Sequence, residues 1–139
     1  MMCLPTLTNR DMAVPSTVTV MASRLELIRL RTVPAFLLAA LRLRRSFGAA
    51  PGAISLGLAA QPLHRTFWTI SVWTDEQSLG AFNASALHQR VVTTFRPAMR
   101  GSTFSTWTAD RDATPSWADA QERLTRRGAS DTDDADVST

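Results

Sequence analysis

Cysteine is almost absent from this 139-residue sequence, and lysine and tyrosine are missing altogether. The single cysteine, Cys3, excludes an internal disulfide and cannot form a metal site alone, so we expect no metal and a reducing, cytoplasmic compartment. No apolar run reaches the roughly 18 residues of a membrane span, because the longest, residues 33–43, contains Arg42. Near its N-terminus the sequence has Arg10 and Asp11, at positions where a signal peptide needs an apolar run. We therefore expect a soluble protein that does not bind membranes.

Positive charge is carried by arginine alone, since all 15 basic residues are arginines. This bias is typical of a GC-rich genome, and we expect an actinobacterial source. The pI of about 10.9 overstates the basicity, because the net charge is only +3 and no group titrates between the histidine and cysteine range and arginine. The arginines are not interleaved with aromatic residues or glycine loops, so no nucleic-acid partner is predicted.

Four segments rich in β-branched, aromatic or alternating aliphatic residues predict β-strands. The clearest is Thr-Phe-Trp-Thr-Ile-Ser-Val-Trp at residues 66–73. It follows an alternating segment and a short connection around His64, which predicts an antiparallel hairpin. The predicted strands span about residues 16–26, 53–59, 66–73 and 101–108.

Two segments carry apolar residues at spacings of three and four, which predicts amphipathic helices. The first helix is predicted to follow Thr32 as its N-cap and to end at Gly48. The second is predicted to begin at a capping box formed by Thr74 and Gln77. Its residues 83–85 are weak helix formers, so we expect the helix to break there.

Both ends of the chain lack these patterns. Residues 1–15 contain two prolines and are predicted to be a disordered N-terminal extension. One folded domain is expected over residues 16–109. Residues 110–139 are predicted to form a tail with a short helix from Ser116 to Arg127, followed by a disordered end.

The element order βαββαβ predicts an α+β, ferredoxin-like fold, with two helices on one face of a four-stranded antiparallel sheet. The opposite face of such a sheet is normally solvated and polar. No charged residue occurs in residues 51–61, 66–74 or 101–108, so both faces are apolar or small. This predicts a second cover, most economically a second copy packed sheet on sheet, with a pocket between each sheet and its helices.

The segment from Arg65 to His88 is a strand that ends in Trp73 and runs into an acidic-capped helix. It resembles the antibiotic-biosynthesis-monooxygenase-like family of the dimeric α+β barrel superfamily, over about residues 16–109. The resemblance implies a homodimer and a cofactor-independent oxygenase of a small aromatic or polyketide-like compound. The alternative is a non-catalytic dimeric accessory protein that binds a small molecule or haem.

Haem-degrading members of this family use an Asn on the first strand, and a Trp and a His on the second helix. The first strand here carries Thr17, Thr19 and Met21 instead. Phe82 takes the place of the helix Trp, and His88 falls about one turn early. The motif therefore does not support a haem site, and no cofactor is expected.

Two polar residues of the second helix are candidates for catalysis. His88 lies on the apolar helix face, so it should point toward the sheet and could act as an acid or base. The alternative is a partly buried histidine bonded to a backbone carbonyl or a strand hydroxyl. Asn83 could hold a carbonyl or enolate oxygen of a substrate, or it could simply break or cap the helix. His64 and His88 do not have the separation of metal ligands.

Four aromatic residues are candidates for binding a flat aromatic ligand: Trp68, Trp73, Phe82 and Trp107. The alternative for the tryptophans is packing in the core or in a dimer interface. Arg65 is a candidate for binding a carboxylate or phenolate. Arg42, Arg44 and Arg45 are expected on the solvated face of the first helix.

Overall fold

The computed structural model of the protein describes residues 2–9, 13–113 and 115–137. Its strands are β1 Met2–Cys3, β2 Leu7–Thr8, β3 Thr17–Leu27, β4 Ala53–Gln61, β5 Thr66–Trp73 and β6 Met99–Asp110. They form one antiparallel sheet in the order β1-β4-β5-β3-β6, and β2 also pairs with β4. The central order β4-β5-β3-β6 is that of a ferredoxin-like fold, as predicted. The strand β5 has the predicted bounds, because β-branched and aromatic side chains pack on both of its faces.

The helices are α1 Val33–Phe47, α2 Glu76–Asn83, α3 Ala86–Phe95 and α4 Trp117–Val137. Helices α1, α2 and α3 cover one face of the sheet. At one end of this layer Phe36 packs against Phe67 of β5 and Phe95 of α3. At the other end Phe47 packs against Trp73. The predicted α+β architecture is therefore confirmed.

Helix α2 is capped by Asp75 rather than by the predicted Thr74. The Asp75 backbone is extended, and its carboxylate accepts the N–H of Ser78 at 2.7 Å. This hydrogen bond holds the pKa of the Asp75 carboxyl below its ordinary value of 3.8. The N–H of Thr74 donates to the carbonyl of Gly52 at 2.9 Å, which ties Thr74 to the turn before β4. The predicted capping box is therefore wrong by one residue.

The predicted weak stretch does divide the second helix. Ser85 has an extended backbone, and its hydroxyl accepts the N–H of His88 at 3.4 Å. This N-cap starts α3 and places His88 in its first turn. The expectation of a break at residues 83–85 is confirmed.

The two faces of the sheet carry different side chains, because successive residues of a strand point to opposite sides. On β5, the side chains of residues 67, 69, 71 and 73 face α1, α2 and α3. Those of residues 68, 70 and 72 face the other side, where they form a core cluster with Val20 and Ala22 of β3.

That second face is covered by α4. The prediction had assigned this helix to a tail outside the folded domain of residues 16–109. Ala120 and Leu124 are each 1% exposed and belong to the cluster on this face. The Trp117 ring lies over Gly57, where an added Cβ would be 3.2 Å from the ring. The guanidinium of Arg123 stacks 4.2 Å from the centre of the Trp107 ring. The apolar face is thus covered within the chain, and the inference that it requires a second copy was wrong. The helix also continues to Val137, past the predicted end at Arg127.

The N-terminal residues are not a free extension, in contrast to the prediction of disorder over residues 1–15. The strands β1 and β2 lie along the edge of β4. The N–H of Leu4 donates to the carbonyl of Leu58 at 2.9 Å, and that of Asn9 donates to Ile54 at 2.8 Å. The edge strand β4 presents unpaired backbone N–H and C=O groups, and residues 2–9 form hydrogen bonds with them. Backbone pairing of this kind requires no periodic pattern of apolar side chains. Residues 1 and 10–12 lie outside the described residues.

Among the described residues, none of the helices is both long enough and apolar enough to span a bilayer. Within the same part of the chain, histidine, cysteine and acidic residues form no cluster that could hold a metal ion.

Candidate functional site

A cavity of about 210 Å³ lies between the sheet and helices α1, α2 and α3. Its walls are mainly apolar, and they include Met21, Leu25, Phe36, Phe47, Val91 and Phe104. The charged residues that line it are Arg44 and Arg96, and no carboxylate of the described residues does so. The interior is therefore apolar with a positive bias.

Polar atoms without a hydrogen-bond partner are concentrated in the wall of this cavity. Within the described part of the chain, five enclosed side-chain polar atoms have no partner, and four of their residues line the cavity. The four atoms are Arg44 Nε, Ser71 Oγ, Trp73 Nε1 and His88 Nδ1. Buried polar groups are normally paired, so such a group of orphans points to a ligand or to water.

Ser23 and Thr69, unlike these four residues, have paired side chains at the cavity. They lie opposite each other on β3 and β5, and their hydroxyls hydrogen-bond to each other. Ser71, two residues further along β5, lies opposite Met21 on β3 and Leu56 on β4. Neither neighbour offers a side-chain partner, so the Ser71 hydroxyl is left unpaired beside the cavity.

An aromatic wall closes the end of the cavity near α2. Trp73 packs between Phe47 and Phe82, with ring centres 5.1 Å and 5.2 Å away. Phe82 in turn contacts the edge of the His88 imidazole, at a distance of 5.7 Å between ring centres. A flat ligand would therefore meet aromatic surface and the imidazole in the same part of the cavity.

His88 is partly buried, and its protonation is disfavoured. Burial lowers the pKa of the imidazole from its ordinary value of 6.5, and the nearby backbone carbonyl of Asn83 opposes this only in part. That carbonyl accepts a hydrogen bond of 2.7 Å from the Gln89 side chain, whereas His88 Nδ1 has no partner of good geometry. Burial therefore favours the neutral imidazole.

The structure brings together four of the seven predicted site residues. His88, Asn83, Trp73 and Phe82 all line the cavity. Their roles in chemistry and binding stay predictions.

The other three predicted residues lie elsewhere. Trp68 and Trp107 are on the opposite face of the sheet, packed in the cluster under α4. Arg65 lies at the hairpin between β4 and β5, in a left-handed conformation with φ of 55°. The placement of these three at the site was wrong, because strand alternation and the hairpin turn direct them away from the cavity.

Two polar residues of the cavity were missed. Ser71 shares the face of Trp73 by strand alternation, which could have identified it. Arg44 follows Phe36 and Ala40 at intervals of four along α1, so helical spacing places it on the cavity side. Its charge led to the expectation of a solvated position, whereas the side chain is partly buried and also lines the cavity.

No protein-family model and no curated protein matches the sequence. Solved structures do match. SnoaB, a cofactor-independent oxygenase from Streptomyces nogalater, is 21% identical with a TM-score of 0.58, over 73% of this chain and 100% of that one. An antibiotic-biosynthesis-monooxygenase-like protein from Nitrosomonas europaea is 10% identical with a TM-score of 0.63, over 74% of this chain and 100% of its own.

The fold is that of antibiotic-biosynthesis-monooxygenase-like proteins. A further protein of this type, from Chloroflexus aurantiacus, is 14% identical with a TM-score of 0.56, over 71% of this chain and 97% of its own. The resemblance predicted from the segment between Arg65 and His88 is therefore confirmed for the fold. At these identities the likeness does not assign an activity.

Proposed function

We propose that the protein is a cofactor-independent oxygenase of a small, flat, acidic aromatic or polyketide-like compound. The observation that carries the proposal is the partly buried His88, which lies in an apolar cavity beside Phe82 and Trp73. Its burial favours the neutral form, and its Nδ1 has no hydrogen-bond partner of good geometry. The similarity in fold to SnoaB, a cofactor-independent oxygenase, supports it by analogy.

The proposed reaction begins with proton transfer. His88 takes a proton from an acidic C–H of the substrate, and the side-chain amide of Asn83 donates a hydrogen bond to the enolate oxygen. The carbanion gives an electron pair to O2, a C–O bond forms, and the peroxide takes up the proton from His88. Loss of water from the hydroperoxide leaves a carbonyl. A CH2 group and O2 thus become C=O and H2O, and no external reductant is needed.

The apolar walls support this chemistry. They limit water around the carbanion, which would otherwise be protonated again before O2 reacts. A neutral histidine is the required form for a base, and burial of His88 favours that form.

The proposal is tested by oxygen consumption with anthrone, a flat ketone that has an acidic CH2 between two aromatic rings. The matched variants are His88→Gln and His64→Gln, because His64 is exposed and does not line the cavity. We expect His88→Gln to slow consumption by about 10²-fold or more and His64→Gln to leave it unchanged. Equal rates in the two variants, or no consumption by the native protein above the protein-free rate, would contradict the proposal.

A haem does not suit this cavity. Its volume of about 210 Å³ is below the roughly 300–1,000 Å³ typical of sites for drug-sized ligands, and a haem is larger than such ligands. We therefore propose that the reaction uses no haem. The analogy with SnoaB, a cofactor-independent oxygenase, supports the proposal that no other resident cofactor takes part.

We also propose that the protein is a homodimer built through β6. This strand is at one end of the sheet and pairs only with β3 among the described residues. Edge strands usually carry charges that prevent pairing, yet no charge occurs from Gly101 to Thr108. Phe104, in the middle of the strand, is 50% exposed. Antiparallel pairing of β6 with its copy would bury this edge, and α4 could stay on the sheet.

Light scattering coupled to gel filtration tests the dimer at micromolar concentration. We expect Phe104→Lys to convert the dimer to a monomer. Leu63→Lys is the control, since Leu63 is 83% exposed and lies in the hairpin between β4 and β5. A native protein of monomeric mass would contradict the proposal.

Finally, we propose a cytoplasmic location. Cys3 is exposed and unpaired, and such a thiol is kept in this state by a reducing compartment. Labelling of Cys3 by a maleimide after rapid lysis under thiol-trapping conditions would test this, and an oxidised Cys3 would contradict it.

A further inference from the structure

Arg44 is a cation in the wall of the cavity without a counter-ion. Its Nε is enclosed and has no partner, and none of the ion pairs between described residues includes it. Its neighbour Arg45 is exposed. Arg44 as a whole is only partly buried, but an unpaired N–H of a charged group at an enclosed position is satisfied best by a negatively charged acceptor, so the site favours an anionic ligand.

Two other orphan atoms in the wall can serve the same ligand. Trp73 Nε1 is a donor only, and the Ser71 hydroxyl can donate as well as accept. Both residues lie on β5, two positions apart on one face of the strand. Together with the arginine they offer donors, and no carboxylate of the described residues competes for them at the cavity.

The N-terminal segment, residues 2–9, holds the arginine in place. Arg44 Nη2 donates to the carbonyl of Pro5 at 2.7 Å. On either side of Pro5 the segment is attached to β4, through the pairings of β1 and β2. Leu7 also packs beside the cluster that contains Phe47 and Trp73. One end of the guanidinium is thus fixed from outside the cavity, while Nε stays uncommitted.

We propose that Arg44 is the anion-binding residue of the cavity, that it selects aromatic ligands bearing a negatively charged oxygen, and that the N-terminal segment positions it. The inference rests on the proposed function only in taking the cavity as the ligand site. It requires binding but no turnover, so a failure of the oxygenase assay leaves it standing.

A pair of probes that differ in charge tests the selectivity. 2-Naphthoate and 2-naphthamide have the same ring system and nearly the same shape, and their binding to the full-length protein can be measured by calorimetry. We expect Arg44→Gln to weaken binding of the naphthoate about tenfold or more, or ~1.4 kcal/mol, and to leave binding of the amide within twofold. Arg45→Gln should change neither, and Arg44→Lys should restore part of the naphthoate affinity.

The role of the N-terminal segment is tested separately with Leu7→Asn, which introduces an uncharged polar group where Leu7 packs on the core. We expect this variant to lose several-fold affinity for the naphthoate while its affinity for the amide changes little. The melting temperature of each variant is the control for folding. A value equal to that of the native protein, or an equal lowering in Arg44→Gln and Arg45→Gln, shows that the fold is intact.

Two results would overturn the proposal. One is an equal loss of naphthoate and amide binding in Arg44→Gln, which would mean that the arginine only shapes the cavity. The other is a native protein that binds the amide as tightly as the naphthoate. Unchanged naphthoate selectivity in Leu7→Asn would remove the positioning role of the segment.

Discussion

Truncation of Leu124 to alanine measures how firmly α4 belongs to the folded domain. Leu124 is 1% exposed and packs on the sheet face that also carries Val20, Ile70 and Val72. Replacement of a fully buried leucine by alanine costs about 2–5 kcal/mol, through lost transfer free energy and the cavity left behind. We expect the lower end of this range, about 2–3 kcal/mol, because few of the side chains described for α4, at residues 117–127, are buried and the helix can shift to close the gap.

Urea unfolding, followed by circular dichroism and by tryptophan emission, gives the free energy of unfolding and its dependence on urea. The control is Leu63→Ala, since Leu63 is 83% exposed and such substitutions stay within about 0.5 kcal/mol. If α4 detached as a whole, the slope with urea would fall, because less surface would remain to be exposed on unfolding. A Leu124→Ala protein within 0.5 kcal/mol of the native one, about the noise of such surface changes, would refute the packing of α4 on the sheet.

Three further predictions follow from separate parts of the molecule. Burial lowers the pKa of folded His88 below 6.5, so the unfolded chain binds more protons in acid, and stability is full above about pH 6.5 and falls as the pH drops below it. Urea titrations at several pH values should show a smaller fall in the free energy of unfolding for His88→Gln than for His64→Gln. An equal dependence on pH in the two variants would contradict the burial of His88. Gly57→Val should cost about 1–3 kcal/mol by overpacking, since an added Cβ lies 3.2 Å from the Trp117 ring, and calorimetry should find the loss abolished when Trp117 is also replaced by alanine. Leu4→Pro removes the N–H that donates to Leu58 and should cost about 1 kcal/mol, whereas an unchanged melting temperature would mean that the N-terminal segment is not attached to β4.

The main strands and helices could be predicted because their signals are local. The sequence of β5 alternates aromatic, hydroxyl and β-branched residues without interruption, and α1 repeats apolar residues at helical spacing. The break before Ser85 could be anticipated from the weak helix formers there. The strands β1 and β2 could not, because two-residue strands have no period and depend on the edge that β4 offers. The packing of α4 likewise depends on contacts with residues distant in sequence, such as Gly57.

Residues of the cavity wall could be predicted where the periodicity of a single helix or strand showed which side chains face the cavity. The prediction failed where it relied on the usual exposure of a residue type. His88, Phe82 and Trp73 line the cavity, and helical spacing and the end of β5 indicate that position from the sequence. Trp68 is five residues from Trp73 on the same strand, and an odd separation places the two on opposite faces. Arg44 was assigned to solvent because arginine usually is exposed, although its spacing from Phe36 indicated the cavity.

The break between α2 and α3 has an electrostatic consequence for His88. Ser85 starts a new helix three residues before His88, so the imidazole sits at the positive end of the α3 dipole rather than in the middle of a long helix. A positive end disfavours an imidazolium ion and favours a negative charge nearby. The interruption that shortens the helix thus acts in the same direction as burial, which lowers the pKa of His88. It also provides a favourable potential for the enolate of the proposed reaction. Joining α2 and α3 into one continuous helix would remove that potential without altering a single residue of the cavity wall.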